Sequence, residues 1–402
     1  IVRQGHLPDA RALPYFLRLI LPVAARLHWG SVTIALPDAR ALRIEGSVPG
    51  KHAEIVIRDY HCFWRLFRTA NVGFAEGYLA GEWDTPDLEA VLEVFARNAD
   101  RMRELYEGRW WAQIANRVLH MMNRNTRAGA KRNIHAHYDL GNEFYKRWLD
   151  PSMTYSSAKF DRPGQPLTEA QRNKYAALAR RIGLKREHNL LEIGCGWGGF
   201  AEFAAKEIGC NVTGITISRE QHDFAKKRLQ SAGLADKTDI RLEDYRDTQG
   251  TYDRIASIEM FEAVGEQYWP AYFDKVRGLL KPGGVAGLQI ITIDEQYFSA
   301  YRRSVDFIQK YIFPGGMLPS PKVLREHVEN AGLEWRENAN FGQDYAQTLA
   351  AWRDRFFDAW DDIRTLGFDE RFKRLWNYYL SYCEAGFRAG SIDVTQIAVA
   401  RG

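Results

Sequence analysis

Residues 188–200 read HNLLEIGCGWGGF, and the rest of the chain is organised around them. A short apolar run from Leu190 to Ile193 meets a glycine-rich turn, and GFAEFAAKEIG beyond it has helical spacing. Strand, glycine turn and helix in this order make a nucleotide-type site. Gly194 and Gly196 let the backbone approach a ligand where a Cβ would collide. The spacing is E-x-G-x-G-x-G, not the G-x-G-x-x-G of dinucleotide binders. The carboxylate of Glu192 would repel a pyrophosphate, so a cationic ligand suits the turn better.

Downstream, strands and helices alternate. CNVTGITI is a strand, and SREQHDFAKKRLQSAG is a helix with Ser218 as its candidate N-cap. TDIRLEDY and YDRIASIEM are strands, WPAYFDKVRGLLKPGG is a helix with a glycine stop, and VAGLQIITI is a strand. That order predicts a doubly wound α/β domain. With an acidic end to the third strand (Glu243-Asp244-Tyr245) and LLKPGG before the last, the pattern resembles class I S-adenosylmethionine methyltransferases. The resemblance implies a Rossmann-like, seven-stranded sheet. It implies a cofactor held by Tyr155, Ser156, Glu192, Gly194, Gly196, Thr216, Ser218, Gln221, Asp244 and Tyr245. Thr216, Ser218 and Gln221 stand where many such enzymes place an acid for the ribose hydroxyls, and Asp244 stands near the adenine amino group.

Upstream, residues 31–60 read as short strands that alternate apolar and polar side chains around SVPGK, and residues 62–99 have helical spacing with a glycine-rich centre at FAEGYLAGEW. These place a small α+β domain over residues 1–108. Residues 109–132, RWWAQIANRVLHMMNRNTRAGAKR, carry six Lys and Arg and no acid, interleaved with Trp110, Trp111 and apolar residues. Such a linker, bounded here as 109–134, suits either packing on a neighbour or contact with an anionic membrane surface. The catalytic domain is then 135–402.

The 402 residues carry a net charge of only +4, which excludes a chain-wide polyelectrolyte binder and argues against nucleic acid as a partner. The four cysteines form no CxxC pair, which argues against structural zinc and favours a reducing, cytoplasmic setting. His135 and His137 have no further ligand at metal spacing, so no metal is expected. The opening residues lack signal-peptide character, and Leu17–Ala25 is far shorter than the roughly 20 residues of a bilayer span.

Four stretches narrow the class: HAHYDLGNEFYKRWLDPSMTYSSAKF (135–160), IEMFEAVGEQYW (258–269), YIFPGGMLPS (311–320) and NFGQDYAQTLAAW (340–352). With FWRLFRTANVGFAEGYLAGEWDTPDLEAVL (63–92), they are similar to the cyclopropane fatty acid synthase family over nearly the whole chain. The resemblance implies methyl transfer from S-adenosylmethionine to the cis double bond of a phospholipid acyl chain, then proton loss and ring closure. It also implies a bicarbonate ion as proton acceptor, held by Ser157, Glu262, Gln289 and Tyr345. Glu262 in MFE and Tyr345 in QDY match the family, whereas Ser157 stands for a Cys and Gln289 for a His after the fifth strand.

Those two departures leave a methyl- or methylene-branched product open beside the cyclopropane, with Glu262 as the natural base. The carbocation left by methylation must be shielded from water and can be stabilised by aromatic faces, of which Tyr155 and Tyr345 are the best placed. A methyltransferase for a soluble small molecule is the other enzymatic alternative. The expected partners are a bilayer of unsaturated phospholipid, approached from the inner face of the cell membrane, and a second copy of the chain.

Overall fold

The computed structural model describes residues 15–103 and 140–402. The linker 109–134, His135 and His137 lie outside the described residues. The chain divides into two compact units. Of the described residues, one gathers 15–103 with 303–307 and 367–391; the other gathers 140–302, 308–366 and 392–402. Two segments that the sequence reading put in the catalytic domain thus cluster with the N-terminal unit.

In the first unit a four-stranded sheet has the order β2-β1-β3-β4, with β1 Trp29–Ala35, β2 Ala41–Glu45, β3 Val48–Ile57 and β4 Trp83–Asp84. Alternation along β1 and β2 buries Val32, Ile34, Leu42 and Ile44 on one face, as a two-residue side-chain period requires. The expected helical stretch 62–99 is two helices. His61–Leu79 is kinked at Thr69 and Ala70, and Leu88–Arg97 begins after β4 with Asp87 accepting the Ala90 N–H at 3.0 Å. Helix Glu370–Ala389 also belongs to this unit. Its Arg388 reaches Glu384 at 2.8 Å and Glu89 at 3.3 Å, so the charges buried between this helix and Leu88–Arg97 are paired.

In the second unit seven strands run in the order β10-β11-β9-β8-β5-β6-β7. They are β5 Asn189–Ile193, β6 Asn211–Thr216, β7 Thr238–Leu242, β8 Tyr252–Ile258, β9 Leu280–Ile293, β10 Leu333–Asn340 and β11 Ile392–Arg401. β5 to β9 pair in parallel, while β11 lies antiparallel between β9 and β10. Apolar clusters cover both faces, including Leu191, Ile255, Phe261 and Phe273 on one and Leu178, Leu190, Phe200 and Val212 on the other. Burial on both faces explains why apolar residues fall on consecutive positions of the central strands, as Leu190 and Leu191 do, rather than alternating with polar ones. This is the class I methyltransferase fold. From β5 the chain proceeds outward through β6 to β7, then returns through β8 to β9 on the other side. A crevice therefore opens at the carboxyl ends of β5 and β8, where such sheets bind their ligands.

Candidate active site

β5 carries Glu192 to that crevice and buries it, 3% exposed. Burial pushes its carboxyl well above the usual carboxylate range, against the opposing charge of Lys174. The nearby Ala201 backbone amide also opposes that rise, and Oε2 is enclosed with no partner among the described residues. In the turn Gly194 has φ +79° and Gly196 φ +53°, conformations that glycine adopts freely. A Cβ on Gly194 would lie 2.7 Å from Cγ of Met260, whereas one on Gly196 would meet nothing within 4 Å. An enclosed carboxylate oxygen beside open space over a glycine fits a cationic ligand that approaches the backbone closely.

The two glycines therefore fail differently when substituted. Gly196→Asn is expected to fold, because Asn tolerates the left-handed region, and to lose cofactor affinity as its side chain enters that space. Gly194→Asn is expected to lower the melting temperature through its collision with Met260. Thermal melts and calorimetry on both variants check the contrast. Undiminished cofactor affinity in Gly196→Asn would remove this glycine from the site.

Thr216, Ser218 and Gln221 come together at the end of β6. The Thr216 hydroxyl donates to Gln221 Oε1 at 2.9 Å, and Ser218 Oγ accepts the Gln221 N–H at 3.3 Å as the cap of helix Arg219–Ser231. Asp244, just past β7, takes both arms of Arg246 at 2.8 and 2.5 Å, so a ligand amino group there would share it with a guanidinium. Tyr245 packs edge-on against Tyr272, with ring centroids 5.4 Å apart.

Residues 155–157 bridge to the reacting end. Ser156 Oγ accepts a hydrogen bond from the fully buried Lys174 amine at 2.6 Å. Burial depresses that amine to about 7, against the neighbouring Glu259, Asp150 and Glu192. Tyr155 sits among aromatic rings, 5.3 Å from Trp352, 5.4 Å from Tyr145 and 5.6 Å from Trp148. Tyr345 stands edge-on to Trp352 at 6.1 Å.

The four residues expected to hold an anion do not converge on an empty place. Three of them hold Glu259, which the sequence reading passed over. Glu259 Oε1 accepts the Ser157 N–H at 2.8 Å and Gln289 Nε2 at 2.7 Å, and Oε2 accepts the Tyr345 hydroxyl at 2.6 Å. Ser157 contributes its backbone, since its hydroxyl donates to the Ala158 carbonyl at 2.9 Å. Gln289 lies within β9 rather than after it, fully buried. Glu259 follows β8 directly and has φ +48°, a left-handed conformation costly for a residue with a Cβ. Burial raises its carboxyl above the usual range, opposed first by Lys174 and then by these three donors.

Glu262 stands one turn further on. Its Oε1 accepts the Ile291 N–H at 2.6 Å, and its Oε2 is enclosed with no partner among the described residues. Burial, and then the Glu259 charge, push it up to about 8. A carboxyl raised by folding contributes stability that is complete below the ordinary carboxylate value and is lost as pH rises through about 8. Wild type is therefore expected to lose stability between pH 5 and pH 9 that Glu262→Gln retains. Parallel melting curves of the two proteins across that range would show Glu262 to be already ionised.

The fold, the acidic glycine turn and the enclosed carboxylates define a class I S-adenosylmethionine-dependent C-methyltransferase. The chain belongs to the mycolic acid cyclopropane synthetase family, whose model matches residues 125–397. It is 40% identical over 347 residues to the tuberculostearic acid methyltransferase of Mycobacterium tuberculosis, covering 84% of this chain and 80% of that one. It is 34% identical over 378 residues to the cyclopropane-fatty-acyl-phospholipid synthase of Escherichia coli K12, covering 93% and 94%. The solved mycolic acid cyclopropane synthase CmaA1, complexed with SAH and CTAB, superimposes with a TM-score of 0.63 at 30% identity, covering 67% of this chain and 98% of that one.

Proposed function

We propose that the enzyme methylates the cis double bond of an unsaturated acyl chain in a membrane phospholipid, and that loss of a proton from the added methyl closes a cyclopropane ring. The observation that carries this reading is Tyr345, whose hydroxyl is bonded to the Glu259 carboxylate and whose ring packs on Trp352. One residue thus joins a proton acceptor to an apolar aromatic wall, the two things a carbocation on an alkyl chain requires.

Bound S-adenosylmethionine supplies an electrophilic methyl group. Glu192, the glycine turn and the Thr216–Ser218–Gln221 group orient it at the ends of β5 and β6. The alkene π pair forms the new C–C bond as the methyl–sulfur bond breaks, the bonding pair stays with sulfur in the departing S-adenosylhomocysteine, and the positive charge appears on the neighbouring acyl carbon. Tyr155, Trp352 and Tyr345 exclude water, which would otherwise capture the cation as an alcohol, and their ring faces favour positive charge. Removal of a methyl proton lets its C–H pair close the ring.

A second reading, a methyl- or methylene-branched product, is supported by the name of the tuberculostearic acid methyltransferase to which the chain is 40% identical. Methyl-labelled cofactor and vesicles of cis-unsaturated phospholipid, followed by mass spectrometry of the fatty acid methyl esters before and after hydrogenation, test both. A ring, a methylene and a methyl branch give different fragments, and label confined to soluble products would sink the acyl-chain reading.

Membrane contact falls in this reading to the N-terminal residues 1–108 and the basic linker 109–134, with a homodimer as the working assembly at the inner face of the cell membrane. No helix among the described residues is long and apolar enough to cross a bilayer. Each basic residue near an anionic surface contributes about 1 kcal/mol, screened by salt. Reversing Arg124, Arg127, Lys131 and Arg132 is therefore expected to reduce sedimentation with anionic vesicles and leave cofactor affinity alone. Equal binding to neutral and anionic vesicles at low salt would refute the idea.

A further inference from the structure

We infer that Glu259 is the base that takes the methyl proton, and that its carboxylate stands where a bicarbonate ion was expected, so that turnover needs no added anion. This rests on the acyl-chain reading above.

The argument is one of occupied donors. An anion held by Ser157, Gln289 and Tyr345 needs their N–H and O–H groups, and all three already point at Glu259, at 2.8, 2.7 and 2.6 Å. The arrangement is fixed from behind. Gln396 Nε2 donates to Gln289 Oε1 at 3.0 Å, which turns the Gln289 amide nitrogen towards Glu259. The Ala158 N–H donates to Thr348 Oγ1 at 3.1 Å, which ties the loop carrying Ser157 to helix Gly342–Asp358, the same helix that supplies Tyr345. A second anion would also have to enter beside two carboxyl groups, Glu259 and Glu262, whose proximity already raises the latter.

Backbone conformation points the same way. At φ +48° a glycine would sit with less strain than Glu259, so the surroundings hold the residue in place for its side chain. Oε2 accepts only the Tyr345 hydroxyl among the described residues, which leaves that oxygen a lone pair to take a proton. The raised proton affinity of its carboxyl suits a base.

The step balances. The methyl C–H bond breaks, its electron pair forms the third bond of the ring, and the proton goes to Glu259. For a methylene product a hydride first moves from the methyl-bearing carbon to the cationic one. The same methyl group then gives up its proton to the same carboxylate, and the C–H pair becomes the new π bond. One base thus serves either outcome.

The full-length protein is assayed with methyl-labelled cofactor and unsaturated phospholipid vesicles, in buffer stripped of carbon dioxide and again with added bicarbonate. Wild type is expected to label the acyl chains equally in both. Glu259→Gln keeps the shape and is expected to lower turnover roughly 10²–10⁴-fold with calorimetric cofactor affinity preserved. Glu259→Gly frees the three donors and relaxes the backbone, and its activity is expected to return with added bicarbonate or formate. A wild type that requires bicarbonate, near-normal turnover in Glu259→Gln, or a folded, cofactor-binding Glu259→Gly that neither anion rescues would each overturn the inference while leaving the acyl-chain reading intact. Acyl chains unlabelled by wild type in both buffers would overturn both.

Discussion

Glu192→Gln is expected to weaken S-adenosylmethionine binding by about 10²-fold or more while the protein stays folded, the scale of losing one member of a buried charge pair. The side chain is 3% exposed and its Oε2 has no partner among the described residues, so in the free protein the carboxylate carries a desolvation penalty that only Lys174 offsets by charge. A cationic ligand supplies the missing counter-charge. Gln keeps the shape, removes that attraction and relieves the buried charge, so stability should hold or rise while affinity falls.

The same residue ties cofactor binding to pH. Folding raises the Glu192 carboxyl well above the usual range, and a bound cation favours its ionised form. Binding then releases a proton, and wild-type affinity should increase with pH, whereas that of Glu192→Gln should change less. Calorimetry in two buffers of different ionisation enthalpy would register the released proton directly. Equal affinities for wild type and variant would remove Glu192 from the cofactor site.

What the sequence discloses here follows the reach of each interaction. The glycine turn and the parallel strands are local patterns, and predominantly apolar stretches such as Leu288–Ile293 read as buried strands because both faces of the sheet are covered. The two final strands were not legible as residues. β10 is a polar edge strand, LEWRENAN, whose pairing is supplied by β11 some fifty residues later. Helix Glu370–Ala389 has ordinary helical spacing, and nothing in that spacing says that it packs with Leu88–Arg97, nearly three hundred residues earlier.

The candidate site shows the same division. Ser157, Gln289 and Tyr345 were found and do meet, yet what they meet was missed. Glu259 and Glu262 lie three residues apart in IEMFE, and motif likeness favoured the second. A left-handed backbone at Glu259 turns its carboxylate towards three donors from distant elements, and that rotation has no signature in residue type. The one available hint was an acid placed directly after a strand, at the carboxyl edge of the sheet, where catalytic groups gather.

Trp352→Ala is expected to lower unfolding free energy by about 3–5 kcal/mol and to change the product as well. Its ring is fully buried and contacts Trp148 at 5.7 Å, Tyr155 at 5.3 Å and Tyr345 at 6.1 Å. Truncation removes the apolar transfer energy, leaves a cavity that rigid aromatic neighbours cannot close, and forfeits ring pairings of about 0.5–1.5 kcal/mol each. The denaturant midpoint reports that loss. The cavity also adjoins Tyr345, and through it the Glu259 carboxylate. Water admitted there would compete with proton loss for the carbocation, so acyl chains bearing both a methyl and a hydroxyl group should appear in the mass spectrum. Trp352→Phe retains a ring and should show less of either effect. A destabilised Trp352→Ala that still gives only the wild-type product would confine this tryptophan to packing and leave the exclusion of water to Tyr155 and Tyr345.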